Sequence, residues 1–217
     1  MKPLVLLDLD GPLVDVRPRY LALHRQLVRA AGAEPLSAAH YWRLKRAREP
    51  ETEIFVRCGV PAPRAAALAM WRRQHIEDPP MLELDVPWRW AAETLCELRR
   101  MAHLVLVTQR QPGAELNRQI DRFGFAPAIE DVLAGREHGG ETDKSARVVA
   151  SRWAGADRAV MVGDTEVDVV SGHALGIPVV WTRTGIRSER SIRPFCPDAA
   201  IDDIRQLAAW MRSQGWS

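Results

Sequence analysis

Leu4-Val5-Leu6-Leu7-Asp8-Leu9-Asp10-Gly11-Pro12-Leu13-Val14-Asp15 is the stretch on which the fold turns. An unbroken apolar run closed by Gly-Pro has the pattern of a strand buried on both faces of a parallel sheet. Such a strand does not ordinarily end in two carboxylates one residue apart. Burying or crowding them costs several kcal/mol unless a cation or hydrogen bonds compensate. Either the run spills into a solvated acidic turn, or Asp8 and Asp10 meet partners brought from elsewhere in the chain.

Downstream of this stretch the pattern becomes helical. Tyr20, Leu23, Leu27 and Ala31 recur at helical spacing and Gly32 can end the helix. Ser37 can cap a second helix, with Lys45, Arg46 and Arg48 along it. Pro50 can open a third that Gly59 stops, and Pro63 a fourth that Asp78-Pro79-Pro80 breaks. No strand is predicted between residues 16 and 80. From Trp88 helices and strands alternate: Leu104–Thr108, Ile129–Leu133, Ala159–Asp164 and Ile177–Trp181 read as strands two to five. Helices are predicted near 88–101, 113–123 and 143–153, after Asp164, and at the C-terminal end of the sequence. This alternation predicts an α/β fold with a doubly wound parallel sheet. The expected core spans 1–15 and 81–217, with 16–80 inserted as a helical module.

The composition narrows the function. With 217 residues and 47% hydrophobic content, the chain can bury one large core and a smaller one. Thirty basic against 28 acidic residues leave a net charge of +2, too little for a nucleic-acid binder. Cys58, Cys96 and Cys196 form no CxxC pair or disulfide framework, which suits a reducing compartment. Leu4–Leu7 is too short for a signal-peptide core, and no apolar run reaches the length of a membrane span. A cytoplasmic protein that binds neither nucleic acid nor membrane is expected, as a monomer or homodimer. None of the six histidines has a metal-ligand spacing such as HxH or HExxH.

Ligands of a parallel sheet collect outside the carboxyl ends of its strands. Asp8 and Asp10 end strand one, Thr108 ends strand two and Asp164 ends strand four. Asp168 lies where the next helix begins, and Lys144 opens the helix before strand four. Several carboxylates at one edge repel one another without a cation, and a set of hard oxygen ligands suits Mg²⁺. Taken singly, Thr108 also reads as a plain strand terminus, Lys144 as a solvated helix start and Asp168 as a first-turn residue. His138-Gly139-Gly140 is a candidate loop near the mouth of the site.

Asp8-x-Asp10-Gly11-x-Leu13, Thr108, Lys144 and Gly163-Asp164-x-x-x-Asp168 resemble, in order, the four motifs of the haloacid dehalogenase-like (HAD) phosphohydrolase superfamily. The inserted helices resemble its C1 cap, and the likeness is closest to the phosphoglycolate phosphatase-like branch. The resemblance implies a Rossmann-like core and a Mg²⁺-dependent phosphatase acting on a small phosphorylated substrate through an aspartyl-phosphate. It implies that Asp8 is the nucleophile and Asp10 the general acid and base. Asp8, the Asp10 backbone carbonyl and Asp164 would hold the metal, with Asp168 outside them orienting a water or Lys144. Thr108 and Lys144 would bind the phosphoryl group, with Gln109 adding polar contacts and Arg46 of the cap meeting an anionic part of the substrate.

Departures from the family's pattern fall at three places. Thr108 is followed by Gln109-Arg110 where many members carry Asn or Ser. Lys144 lacks the Lys-Pro pair common in the branch, and Pro12 replaces a commoner Thr or Val. Asp10 argues against a dehalogenase, which needs no acid at that position. A phosphomutase uses the same chemistry and stays open, as does a non-catalytic phosphate-ligand-binding protein on this fold. A phosphorylatable receiver domain has similar groups in a different order and lacks the insertion.

Overall fold

The computed structural model describes residues 2–135 and 144–216. Its strands along the chain are β1 (Leu4–Leu7), β2 (Val14–Asp15), β3 (Val86–Pro87), β4 (His103–Thr108), β5 (Asp131–Ala134), β6 (Ala159–Gly163), β7 (Val179–Thr182) and β8 (Ala199–Ile201). The helices are α1 (Arg17–Ala30), α2 (Ala38–Arg46), α3 (Glu51–Arg57), α4 (Ala62–His75), α5 (Pro79–Leu82) and α6 (Ala91–Arg99). They continue as α7 (Ala114–Arg122), α8 (Lys144–Val149), α9 (Glu166–Ala174), α10 (Glu189–Ile192) and α11 (Leu207–Ser213). The candidate loop His138-Gly139-Gly140 lies outside the described residues. Among the described residues no helix is long and apolar enough to cross a membrane.

Two compact units form. The first comprises Met1–Asp15, Pro87–Gly185 and Ile192–Ser217, and the second Val16–Val86 and Ile186–Ser191. In the first unit six strands pair in the order β5-β4-β1-β6-β7-β8, every pair parallel. The continuous apolar runs make the four interior strands. β1, β6 and β7 are buried at every residue, and β4 at all but its first. β5 and β8, at the two edges, are partly exposed. Leu4, Leu6, Val105, Val107, Met161, Val179 and Trp181 share one face of the sheet and pack with Val148 of α8 and Val169 of α9. Strand order reverses between β1 and β6, which makes the crevice beyond these two strands the switch point where doubly wound sheets bind ligands.

The sequence predicts five strands for the parallel sheet, and among the described residues that sheet has six. β8 was not anticipated because Ala199-Ala200-Ile201 is too short to stand out as an apolar run. α8 stops at Val149, short of the expected Trp153, and Asp143 lies outside the described residues.

The second unit is helical, as α1 to α5 and the first three residues of the short α10 show. Ser37 Oγ accepts from the His40 N–H at 3.3 Å and so caps α2. Leu23, Leu27 and Val28 of α1 pack with Phe55, Val60, Ala65 and Ile76 into its core. The chain leaves this unit at Val86, later than residue 80, because α5 packs on α1 and the buried Asp85 lies 3.0 Å from Arg19. Ile186–Ser191 joins it because Ser188 N and Ser191 Oγ donate to the Arg46 carbonyl at 3.0 and 2.7 Å. A polar cluster sits beside the core. Glu51 Oε1 accepts from Lys45 at 2.5 Å and lies 3.3 Å from Arg72 Nε, and Arg72 stands 4.6 Å over the Tyr20 ring. Burial, opposed by Glu51, brings the Lys45 ammonium down to a pKa of about 8.

His24 is fully buried in this unit and stacks on Tyr41 with ring centroids 4.3 Å apart. Burial lowers its pKa to about 4, Glu51 opposes the shift, and Arg72, Arg25 and Lys45 add to it. The unfolded chain binds this proton near pH 6.5, so its contribution to stability is complete above that pH. It is lost as pH falls toward 4. His24→Phe keeps the stacking and removes the titration. Over that window wild type should lose about 1–2 kcal/mol relative to His24→Phe in denaturant unfolding. Parallel pH profiles for the two proteins would contradict the assignment.

Candidate active site

Register sets the level of the site. Leu7 pairs with Leu106 and with Val162, so one step further Asp8 falls level with Val107 and Gly163. Thr108 and Asp164 follow one residue later, about 3.3 Å along their strands. The Asp8 N–H continues the ladder to the Val162 carbonyl at 2.9 Å. After Asp8 the chain turns tightly, with Leu13 N and Val14 N donating to the Leu9 carbonyl and Gly11 N to Val14. Gly11 has φ +94°, and a Cβ there would stand 2.4 Å from the Asp164 carboxylate carbon. A Cβ on Gly185 would stand 1.9 Å from an Asp164 oxygen, so two glycines make the room in which that carboxylate sits.

Lys144 Nζ lies 2.8 Å from Asp8 Oδ1 and 2.6 Å from Asp168 Oδ1, with the side chains of Lys144 and Asp168 almost wholly buried. As the first residue of α8 the ammonium opposes the helix dipole, and the two carboxylates outweigh this. Asp168 is held from its other oxygen as well: Oδ2 accepts from Asp164 N at 3.2 Å, Thr165 N at 3.0 Å and Thr165 Oγ1 at 2.8 Å. Asp8 Oδ1 also accepts from Leu9 N at 2.8 Å. Burial works against the charge on Lys144, but Asp168 and Asp8 together hold its pKa above the ordinary lysine value. Burial pushes the Asp8 carboxyl upward, Lys144 opposes the shift and Asp168 adds to it.

Ligand oxygens of Asp8, Asp164 and Asp168 all lie within 4.8 Å of one another. This oxygen set fits a hard divalent cation, whose charge would oppose the upward push on Asp8. Asp168 is the least suited of the three to ligate it, because Lys144 and three hydrogen-bond donors already occupy its oxygens.

Asp10 is partly exposed, and Arg110 grips it. Arg110 Nε donates to Asp10 Oδ2 at 2.8 Å and Nη2 to Oδ1 at 2.7 Å. Thr108 is buried and its Oγ1 accepts from Arg110 N at 3.2 Å. Gln109 is half-buried between them. Two indoles fix the surrounding loops, Trp88 Nε1 donating to the Gly11 carbonyl at 2.8 Å and Trp181 Nε1 to the Asp164 carbonyl at 3.0 Å.

The first unit thus gathers Asp8, Asp10, Thr108, Lys144, Asp164 and Asp168 at one sheet edge. Arg46 belongs to the second unit. Sequence reasoning did not anticipate the roles of Arg110, Gly185, Trp88 and Trp181. Only Arg110 carried a signal, as a departure beside Thr108.

The haloacid dehalogenase-like hydrolase family matches residues 2–176, and the chain belongs to it. The protein is therefore a hydrolase of that family. Among its relatives is a phosphoglycolate phosphatase of Mesorhizobium japonicum, 27% identical, the match covering 95% of this chain and 93% of the relative. Another, from Synechococcus elongatus, is 24% identical and covered to 94% on both sides. A haloacid dehalogenase-like hydrolase from Streptococcus pneumoniae shares the fold with a TM-score of 0.77 at 14% identity, covering 97% of this chain and 98% of that one.

Lys144→Met should show how far this arrangement rests on one ammonium. Removing one partner of a buried ion pair costs about 3–5 kcal/mol, and here two carboxylates lose their partner at once. The variant should unfold at correspondingly lower denaturant without metal. Stability equal to wild type would contradict the buried bridge.

Proposed function

We propose that the protein is a Mg²⁺-dependent phosphatase that hydrolyses a small phosphorylated metabolite through an aspartyl-phosphate on Asp8. The observation that carries this reading is the bridge from Lys144 to Asp8 and Asp168 at the switch point, with Asp164 beside it and Asp10 two residues on. The relatives named phosphoglycolate phosphatase support a small phosphate ester carrying a carboxylate.

Lys144 and Leu9 N both hold Asp8 through Oδ1, which fixes the carboxylate for in-line attack on phosphorus. As the Asp8–phosphorus bond forms and the ester bond breaks, Asp10 gives its proton to the departing oxygen. Asp10 then takes a proton from water, which attacks the phosphorus and releases phosphate and Asp8. The Thr108 hydroxyl, accepting from Arg110 N, keeps its own proton to donate to a phosphoryl oxygen. Mg²⁺, held by Asp8, the Asp10 carbonyl and Asp164, would neutralise charge on the transferring group. Asp168 keeps Lys144 in place, as its 2.6 Å contact, its three further hydrogen bonds and its full burial favour.

Asp8→Asn preserves shape and removes the attacking anion, so phosphate release from phosphoglycolate or 4-nitrophenyl phosphate should fall about 10⁴- to 10⁶-fold. Chelation of Mg²⁺ should abolish wild-type turnover, and added Mg²⁺ should restore it. Turnover that survives in Asp8→Asn, or after exhaustive metal removal, would overturn the reading.

A further inference from the structure

The carboxylate given the acid–base role is held by a guanidinium that arrives from just past the end of β4, far along the chain, and is braced from α7. Arg110 is 4% exposed, and two of its nitrogens meet the two oxygens of Asp10 across a separation of 100 residues. Its third nitrogen, Nη1, donates to Gln119 Oε1 at 3.2 Å, and Gln119 is itself buried on α7. Its backbone N–H is tied to Thr108 at the end of β4. Arg110 is therefore anchored at two points, its guanidinium to α7 and its backbone to β4, while Asp10 sits on the loop after β1.

A two-pronged contact of this kind does more than supply charge. Arginine's planar fork holds both oxygens of a carboxylate in its own plane, which a lysine ammonium, a point charge, does not do. The lone pairs of Asp10 that remain for chemistry then point in directions set by Arg110. Proton transfer needs donor and acceptor within hydrogen-bond reach and aligned, and small misplacements of such groups cost large factors in rate.

We propose that Arg110, braced by Gln119, is the positioning residue for Asp10, fixing the plane in which its carboxylic acid form gives a proton to the leaving group and the carboxylate so formed takes one from water. This rests on the acid–base role proposed for Asp10 above. Arg110 acts through Asp10 and makes no contribution of its own to binding the phosphoryl group.

A double-mutant cycle on the full chain tests it, with wild type, Arg110→Met, Asp10→Asn and the double variant assayed on phosphoglycolate and 4-nitrophenyl phosphate with Mg²⁺. On phosphoglycolate, Arg110→Met should lower kcat about 10²-fold, the low end of general acid–base contributions, with KM within about threefold of wild type. The burst of nitrophenolate in the first turnover should fall far less, because that leaving group needs little protonation. In the Asp10→Asn background the same change should alter kcat less than about twofold, since groups acting as one unit are not additive. Arg110→Lys, which keeps the charge and loses the fork, should recover only part of the loss.

A full, additive loss in the Asp10→Asn background would overturn the proposal, as would a raised KM with kcat kept, which marks a phosphate ligand. Should Arg110→Met fail to fold, Gln119→Leu loosens the brace while leaving the ion pair. It should lower kcat on phosphoglycolate about three- to tenfold, again only when Asp10 is present; no effect would count against the brace. If wild type turned over neither ester, the phosphatase reading and this inference would fall together. If wild type is active, Asp8→Asn is inactive and the cycle is additive, only the positioning role falls.

Discussion

One buried ammonium holds the site together. Lys144 reaches Asp8 at the end of β1 and Asp168 in the first turn of α9, and Asp168 in turn holds the backbone at Asp164 and Thr165. Three chain segments distant in sequence are thus tied through one nitrogen atom. Buried ions are tolerated only when paired and hydrogen-bonded, so the arrangement is all or nothing: remove one member and the others are left uncompensated. Its incompleteness is equally informative. Asp8 is pushed upward because burial and Asp168 outweigh Lys144, and a cation beside it would reverse that.

The sheet makes this concentration of charge possible. Its interior strands are apolar at nearly every position, so polar groups are confined to the strand ends. Register then brings Asp8, Thr108 and Asp164 within about one residue's rise of one another. The two cations divide the work by their shapes. Lys144, a compact charge with several donors, bridges two acids, whereas Arg110, a rigid fork, grips one acid with both prongs.

Much of this was legible in the sequence because each strand end announces itself: an apolar run that stops at a polar residue. Asp8, Thr108 and Asp164 were found that way, and Lys144 and Asp168 by their places at helix starts. The family resemblance rested on those residues, and the match over 2–176 bears it out. What escaped has no local pattern. The Arg110–Asp10 pair spans 100 positions, and no periodicity marks an ion pair at that separation. Gly185 matters only because Asp164 packs against it, and the indoles of Trp88 and Trp181 only because loop carbonyls come within reach. β8 is too short to be read, and the end of the helical insertion moved to Val86 because α5 and Asp85 pack back onto α1.

In the proposed reaction Asp8 carries the phosphoryl group and Asp10 moves the protons. The most direct measurement is to mix Asp10→Asn with Mg²⁺ and 4-nitrophenyl phosphate, quench in acid within the first turnover, digest, and weigh the peptide containing residues 4–15. A phosphate adduct should appear on Asp8, accumulating because its hydrolysis lacks a base. Nitrophenolate released with no adduct on that peptide, or an adduct on another residue, would contradict it.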